Sequence, residues 1–443
     1  MPPSRMLVFS HGLGGGADLP IPPTYAVVGA ASALVITFAV MAVAWRTSRF
    51  RGDESGRALP LRFTAFVDSP VTRGLVWTLA LLVTAYVLVA LVFGQDLLTN
   101  PVFRVFFILL WVGLVPLSLL FGPIWTLINP VRIVHLGVAR LAGTDPEVGL
   151  RTYPARLGYW PAVLGLGGFV WFELVYPDRL LLTPLQFWIG CYAVVMLVGG
   201  AVFGTRWFAR ADPFEVLSSL VARLSPFGRR TDGRIVVRNP LDNLDGLTPD
   251  RGLVAVVSVL LGSTAADSFL TGPFWAGTAP DLPADPVLLD TLALFAFILL
   301  VGATLTAATT AATGSGLPRS LLPGLFAHSV VPIIVGYFVA HYLTALLEGG
   351  QQAIAQLSDP LSNGSDLLGT ADLGVTFFLT LHPALLASIK VAAIVAGHLL
   401  AAVAAHDRAV RILPRRHALA GQLPLLLVMI GYTVGGLYLL LST

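Results

Sequence analysis

Residues 74–94 read GLVWTLALLVTAYVLVALVFG, an apolar run of 21 residues that contains no charged side chain. A helix needs about 20 such residues to cross the hydrocarbon core of a bilayer. Because lipid offers no hydrogen bonds to the backbone, only helices and closed barrels span membranes. A run this long without alternation of polar and apolar residues indicates a helix. The stretch therefore predicts a helical membrane protein.

The remaining sequence repeats this pattern. Of its 443 residues 56% are hydrophobic and only 12% are charged, and the mean hydropathy is +0.81. The apolar runs predict an all-α, polytopic bundle over residues 24–443, preceded by a tail of residues 1–23. We expect about ten spans, at roughly 24–45, 74–94, 102–122, 158–176, 186–207, 252–271, 287–311, 321–347, 382–405 and 421–442.

The arginines predict the orientation. The connections that follow odd-numbered spans, together with Arg206 at the end of the fifth span, hold 23 arginines, whereas the other side has only Arg5, Arg104 and Arg179. Basic residues stay cytoplasmic, so both termini are expected to be extracytoplasmic. The first span lacks a signal-peptide cleavage pattern and is expected to be retained. These features predict a multi-pass protein of the cell (plasma) membrane. Its basic inner face follows from topology, and we expect lipid rather than nucleic acid as its partner.

Two connections are long. Residues 208–251 include DPFEVLSSLVARLSPFG, whose apolar residues follow helical spacing after an Asp212 N-cap and Pro213. This pattern predicts an interfacial helix on the cytoplasmic surface. Residues 348–381 form a predicted extracytoplasmic loop. No internal repeat is predicted, although ten spans leave room for a five-plus-five symmetry.

Ionisable side chains within a bilayer are costly and are functional candidates by default. By position along their spans, most of them fall at an outer level, and His328 and His398 fall at an inner level. The glycines of FSHGLGGGADLP (residues 9–20) would let the tail bring its polar side chains to the outer level. The outer level comprises His11, Asp18, Glu173, Asp267, Asp290, His341, Glu348, His382 and Lys390.

This distribution supports a metal-site hypothesis. His11, His341 and His382 would hold a divalent metal, zinc or copper, with an open coordination position. Glu348 would serve as base or further ligand, and Lys390 would stabilise developing negative charge. Such a centre activates water for attack on an ester or phosphoryl group.

Other interpretations stay open. The same residues suit a proton relay in a transporter or proton-coupled permease. His328 and His398 on neighbouring helices suggest a haem, but their different depths disfavour it. In a further alternative, Lys390 pairs with Glu348 or an Asp and merely holds helices together. A non-catalytic subunit of a membrane complex is the remaining alternative.

Several long phrases carry a family resemblance. They include HGLGGGADLPIP (11–22), FGTRWFARADPFEVLSSLVARLSPFGRR (203–230), HSVVPIIVGYFVAHYLTALLEGGQ (328–351) and VAGHLLAAVAAHDRA (395–409). Together they resemble a family of polytopic bacterial membrane proteins known as fenitrothion hydrolases. The resemblance implies hydrolysis of an aryl phosphorothioate ester, with a possible second membrane subunit. It supplies no established catalytic residues.

Overall fold

A computed structural model describes residues 15–312, 316–414 and 419–442. Nine helices within these ranges are long and apolar enough to cross a membrane, which confirms the all-α, multi-spanning prediction. The predicted span at 158–176 is instead the shorter helix Trp160–Leu174. The nine runs are Pro23–Ala44, Leu61–Phe93, Pro101–Phe121, Leu182–Phe203, Leu253–Thr271, Pro286–Thr310, Arg319–Gln356, Pro383–Ile412 and Ala420–Leu441.

The contacts divide the chain into two compact units. Unit 1 comprises Met1–Ser55, Leu241–Ala345 and Phe377–Thr443, and unit 2 comprises Gly56–Pro240 and Leu346–Thr376. The α-helices of unit 1 in the described residues include Pro23–Ala44, Leu253–Thr271, Pro273–Thr278, Pro286–Thr310, Leu322–Phe326, Val331–Thr344, Pro383–Ile412 and Leu423–Leu441. Most begin at or next to a proline, whose missing N–H is harmless in the first turn.

A close helix crossing organises unit 1. A Cβ on Gly336 would lie 2.5 Å from the Ala393 carbonyl oxygen, and one on Gly397 would lie 2.6 Å from the Pro332 carbonyl oxygen. Glycine is therefore required on both helices, as is common where membrane helices approach closely. The two contacts also show that Val331–Thr344 and Pro383–Ile412 run antiparallel. Around this crossing lies an apolar cluster of Ala30, Tyr337, Ala340, Ile394, Leu437, Leu440 and Leu441.

Unit 2 consists of shorter helices and a small sheet. Its helices are Leu61–Val67, Pro70–Phe93, Pro101–Arg104, Leu114–Phe121, Trp125–Ile128, Pro130–Leu141, Trp160–Leu174, Leu182–Phe203, Thr205–Ala211, Pro213–Val221 and Gly350–Gln356, with π-helical turns at Val105–Val112. The strands Arg57–Ala58 and Phe227–Arg229 pair antiparallel with the central strand Ile235–Val237. Phe106, Phe169, Trp188 and Phe214 form an aromatic core.

The helix Pro213–Val221 has the predicted cap, because Asp212 accepts hydrogen bonds from the backbone N–H groups of Phe214 and Glu215. Its surroundings differ from the prediction. Eight of its nine residues are buried, against neighbouring helices of unit 2. It is therefore packed inside the protein, whereas an interfacial helix would expose one face to the membrane surface.

Unit 2 also contains a repeat that the sequence analysis missed. Residues 73–141 (repeat A) and 156–224 (repeat B) each contain two helices, a sharp bend, a short helix and a capped final helix. At the bend, Gly122 has φ 83° and ψ −157°, and Gly204 has φ 68° and ψ −164°. Asn129 and Asp212 then cap the final helices in the same way.

Matching residues recur 82 or 83 positions apart. Arg73, Trp77, Asp96, Pro101, Gly122, Trp125, Pro130 and Ala139–Arg140–Leu141 correspond to Arg156, Trp160, Asp178, Pro184, Gly204, Trp207, Pro213 and Ala222–Arg223–Leu224. The small shifts in spacing and the different apolar residues between these positions hide the repeat from an analysis based on hydropathy alone.

Candidate functional site

A buried polar cluster of unit 1 lies between Leu253–Thr271 and Val331–Thr344, which pack against each other. Asp267 and Ser268 lie in the last turn and a half of the first helix, and His341 lies near the end of the second. Their exposed fractions are 5%, 1% and 4%, so all three side chains are buried. Polar groups at such depth need partners, because unpaired ones are strongly unfavourable in an apolar environment.

Asp267 and His341 are in direct contact. The His341 Nε2 atom lies 2.7 Å from Asp267 Oδ2, and the Tyr342 hydroxyl donates to the same oxygen at 2.9 Å. On the other side of the ring, His341 Nδ1 lies 3.2 Å from Ser268 Oγ. The Tyr337 hydroxyl donates to Ser268 Oγ at 2.8 Å. Five side chains thus form one hydrogen-bonded chain.

The chain has a consistent direction. If Tyr337 donates to Ser268, the Ser268 hydroxyl proton is available for His341 Nδ1. The neutral imidazole then carries its proton on Nε2 and donates to Asp267, because a neutral ring has one donor and one acceptor nitrogen. Every oxygen and nitrogen between Tyr337 and Asp267 is therefore satisfied. A carboxylate at one end and a phenol at the other are joined by groups that both give and accept protons.

Lys390 lies close to the same height in unit 1. From the antiparallel crossing at Gly336 and Ala393, a rise of 1.5 Å per residue places Lys390 within about 3 Å of the level of His341. It is 2% exposed. The charge of Asp18 acts on it, and the turn Gly16–Asp18 contacts helices Pro383–Ile412 and Leu423–Leu441. Within the described part of the tail, Asp18 is thus brought back to the helices.

The other predicted histidines lie apart from this cluster. His382 is exposed, its Nδ1 bonds the Phe378 carbonyl oxygen at 2.7 Å, and the same extrapolation puts it roughly 9 Å beyond the level of His341. His328 and His398 are buried and bond the Leu325 and Ile394 carbonyl oxygens through Nδ1. Among the described residues His398 Nε2 has no hydrogen-bond partner. His11 lies outside the described residues.

The other predicted acids belong to both units. Asp290 of unit 1 accepts a hydrogen bond from Trp275 Nε1 at 2.8 Å. Glu173 and Glu348 are buried in unit 2. Within 15–312, 316–414 and 419–442, no group of three or more His, Cys, Asp or Glu side chains is arranged to hold a metal ion. The described geometry therefore brings Asp267 and His341 together. The zinc or copper set stays a prediction, because His11 lies outside the described residues.

Sequence reasoning missed Ser268, Tyr337 and Tyr342. They are uncharged, so a search for ionisable groups in the spans passes over them. A signal does exist: Tyr337, His341 and Tyr342 occur in YFVAHY (337–342), and residues four apart share one face of a helix. Asp267 and Ser268 are adjacent, which lets one helix offer two polar groups to the same imidazole.

A second polar cluster lies in unit 2, where the two repeats meet. Asp212 Oδ2 accepts from the Asn129 amide and the Tyr192 hydroxyl, both at 2.7 Å, and from Trp125 Nε1 at 3.5 Å. Its Oδ1 accepts from the N–H groups of Phe214 and Glu215. Arg132 Nη1 donates to Glu215 Oε1 at 2.6 Å. We call Asn129, Arg132, Asp212 and Glu215 the repeat seam.

Burial dominates the electrostatics of the repeat seam, whose four residues are not part of the nine membrane-spanning runs. Removal from water raises the pKa of Glu215 to about 7, with the charge of Asp212 acting in the same direction and Arg132 opposing both. Burial also raises the pKa of Asp212 above its ordinary value, against the effect of its hydrogen-bond donors. Burial thus opposes the charged form of both carboxyl groups, which lie beside a single guanidinium, whereas the donors to Asp212 favour its charged form.

Comparison with known proteins adds no assignment: no family model, curated protein or solved structure matches the chain.

Proposed function

We propose that the chain is a multi-pass membrane protein that couples the movement of a small solute to a proton, with Asp267 and His341 exchanging that proton. The observation that carries the proposal is the buried series of hydrogen bonds Tyr337–Ser268–His341–Asp267, completed by Tyr342. Intramembrane carboxylates and histidines in hydrogen-bonded series are typical of proton relays in pumps and transporters.

The relay can be written with its protons balanced. His341 gives its Nε2 proton to Asp267 and takes the Ser268 hydroxyl proton at Nδ1. Tyr337 gives its hydroxyl proton to Ser268, and Tyr337 is reprotonated from outside this series of hydrogen bonds. One proton therefore enters at Tyr337 and arrives on Asp267, although no single proton travels the whole distance. The arginine asymmetry supports an extracytoplasmic position for the Asp267 end of its helix, because Arg251 precedes that helix on the predicted cytoplasmic side.

Solute-coupled proton flux tests the proposal. The full chain is reconstituted in lipid vesicles that contain a pH-sensitive dye, and a panel of amino acids, sugars, organic ions and aryl phosphorothioate esters is added outside. We expect at least one solute to change the internal pH for the wild type. Asp267→Asn and His341→Gln should abolish this change, because each removes a proton-exchanging group.

A matched control separates proton exchange from loss of a buried polar group. Thr433→Val removes a hydroxyl that is 1% exposed and bonds only the Met429 carbonyl of its own helix among the described contacts. It should keep the flux. Flux that survives in Asp267→Asn and His341→Gln, or a wild type that responds to none of the solutes, refutes the proposal.

A hydrolase is the second candidate, because Ser268, His341 and Asp267 lie in the order of nucleophile, base and orienting carboxylate. This arrangement needs no metal, unlike the site built on His11, His341 and His382. A fluorophosphonate probe distinguishes the two candidates, since it reacts with activated serine nucleophiles. Modification of Ser268 that disappears in His341→Gln would favour a hydrolase, consistent with the family resemblance. Neither modification nor coupled flux would favour a non-catalytic subunit.

A further inference from the structure

The two repeats of unit 2 are related by a local two-fold arrangement. The final helix of repeat A, Pro130–Leu141, packs on Leu182–Phe203 of repeat B, and the final helix of repeat B, Pro213–Val221, packs on Leu114–Phe121 of repeat A. The reciprocal contact extends to single residues. Ser218 Oγ lies 2.8 Å from Ser118 Oγ, and a Cβ on Gly200 would lie 3.1 Å from His135 Nδ1. Each repeat has two helices before its bend, an even number, so the two repeats are expected to have the same orientation relative to the membrane.

Equivalent residues of the repeats meet each other at the repeat seam. Asn129 is equivalent to Asp212, and their side chains are hydrogen-bonded at 2.7 Å. Arg132 is equivalent to Glu215, and they form an ion pair at 2.6 Å. Such self-contact is the mark of positions near a two-fold axis. Identical charged residues there would repel, so the two copies have to differ in charge where they touch.

The difference leaves the repeat seam with one positive charge and two acids. Asp212 and Glu215 are 0% and 2% exposed. A buried ion pair is tolerated only when its charges are compensated and hydrogen-bonded. With both acids ionised, the seam would carry one uncompensated negative charge. A single bound proton removes that charge.

The hydrogen bonds indicate which acid takes the proton. Asp212 accepts from five donors, which is the pattern of an ionised carboxylate. Glu215 accepts from Arg132 through Oε1, and Asn129 is a second polar neighbour that favours its charged form. Its buried Oε2 has no hydrogen-bond partner among the described residues. The side of Glu215 that lacks a donor is the side where a proton can reside.

We propose that the repeat seam is a proton-binding site, in which Glu215 takes up one exchangeable proton beside Arg132 and an ionised Asp212. The inference does not rest on the proposed function of unit 1. The proton compensates the second acid without displacing any of the five donors to Asp212. Binding and release change only the charge of Glu215, so the site responds to pH through the strength of the Arg132 pair.

The surroundings of Glu215 leave few other charges to act on it. The helix that carries Glu215, Pro213–Val221, packs against Leu114–Phe121, Trp125–Ile128, Trp160–Leu174 and Thr205–Ala211. The first two contribute the neutral groups Ser118 and Trp125 to the seam, and Tyr192 reaches it from Leu182–Phe203. Glu173, Arg206, Arg210 and Arg223 are the remaining ionisable residues of the packed elements and of the turn Ala222–Leu224.

Infrared titration of the full chain in lipid tests the site, because a protonated carboxyl group has its own C=O absorption. The wild type should show one carboxyl group that loses its proton near neutral pH. Glu215→Gln should remove this signal. Arg132→Gln should move the titration to higher pH because it removes a positive neighbour, and Asp212→Asn should move it to lower pH because it removes a negative one.

Opposite shifts in these two variants distinguish proton binding from a purely structural role. Glu147→Gln is the control, since Glu147 is an exposed acid of unit 2 and should leave the titration unchanged. Where a single variant does not fold, the double variant R132E with E215R replaces it, because the near-two-fold positions allow the pair to be exchanged. That variant should fold and retain one titrating carboxyl group. A wild type without such a group, or a signal that persists in Glu215→Gln, overturns the proposal.

Discussion

The two units stabilise their buried acidic side chains with different hydrogen-bond partners. In unit 1, Asp267 is the single acid of a chain built from hydroxyl groups and an imidazole. In unit 2, the repeat seam places a guanidinium beside two acids. A series of neutral groups that both donate and accept suits proton movement, whereas a cluster of fixed charges suits proton storage and structural coupling. Buried ionisable residues therefore need their hydrogen-bond partners to be known before a role is assigned.

The largest effect should come from removing the acceptor at the centre of the repeat seam. Asp212→Ala deletes the acceptor for five donors and the cap of Pro213–Val221. Breaking a buried charged network costs about 3–5 kcal/mol. We expect a loss of that size in the free energy of unfolding, or failure to accumulate in the membrane. Thermal unfolding followed by tryptophan fluorescence measures it, with Glu147→Ala as the exposed control. A variant as stable as the wild type would show that Asp212 is not central.

The pH dependence of stability should be the next largest effect. The pKa of Glu215 is about 7 in the folded chain and 4.5 in its ordinary state. The folded state therefore holds a proton that the unfolded state has released, so the contribution is complete below pH 4.5 and is lost as pH rises through about 7. The difference amounts to about 3 kcal/mol. Unfolding measured from pH 4.5 to 8 should show this decline, and Glu215→Gln should flatten it. A slope that is unchanged in Glu215→Gln would assign the decline to other groups.

The helix crossing in unit 1 provides a purely steric comparison. Gly336→Ala would place a methyl group 2.5 Å from the Ala393 carbonyl oxygen, and overpacking of this kind costs about 2 kcal/mol. Gly431→Ala is the matched control, because a Cβ there meets nothing within 4 Å and alanine favours a helix. We expect the first variant to unfold at lower temperature and the second to be unchanged or more stable. Equal effects would mean that the helices separate easily at the crossing.

The sequence predicts the spans well because a bilayer imposes a simple rule on apolar length. It also identifies Asp267, His341 and Lys390 as candidates, since charge in a span is rare. It could not place them laterally: spacing along a helix gives depth, whereas the partner of His341 depends on which helix packs beside it. Ser268 and Tyr337 were missed because they are uncharged, so that a search for ionisable groups passes over them. The repeat was missed because hydropathy records apolar length and ignores the sparse residues, such as Gly122 and Asn129, that define each bend.

The smallest effect should come from shortening the unit 1 cluster at the end that is not part of the relay. Tyr342→Phe removes one donor to Asp267 and leaves His341 in place. Loss of one hydrogen bond to a charged group costs about 1.5 kcal/mol, so stability should fall slightly. Proton flux should persist, because Tyr337, Ser268 and His341 still lead to Asp267. Tyr337→Phe is the counterpart: it removes the entry group of the series and should reduce flux at a similar cost in stability. If both variants reduced flux equally, Tyr342 would belong to the relay, and the direction assigned to the chain would be wrong.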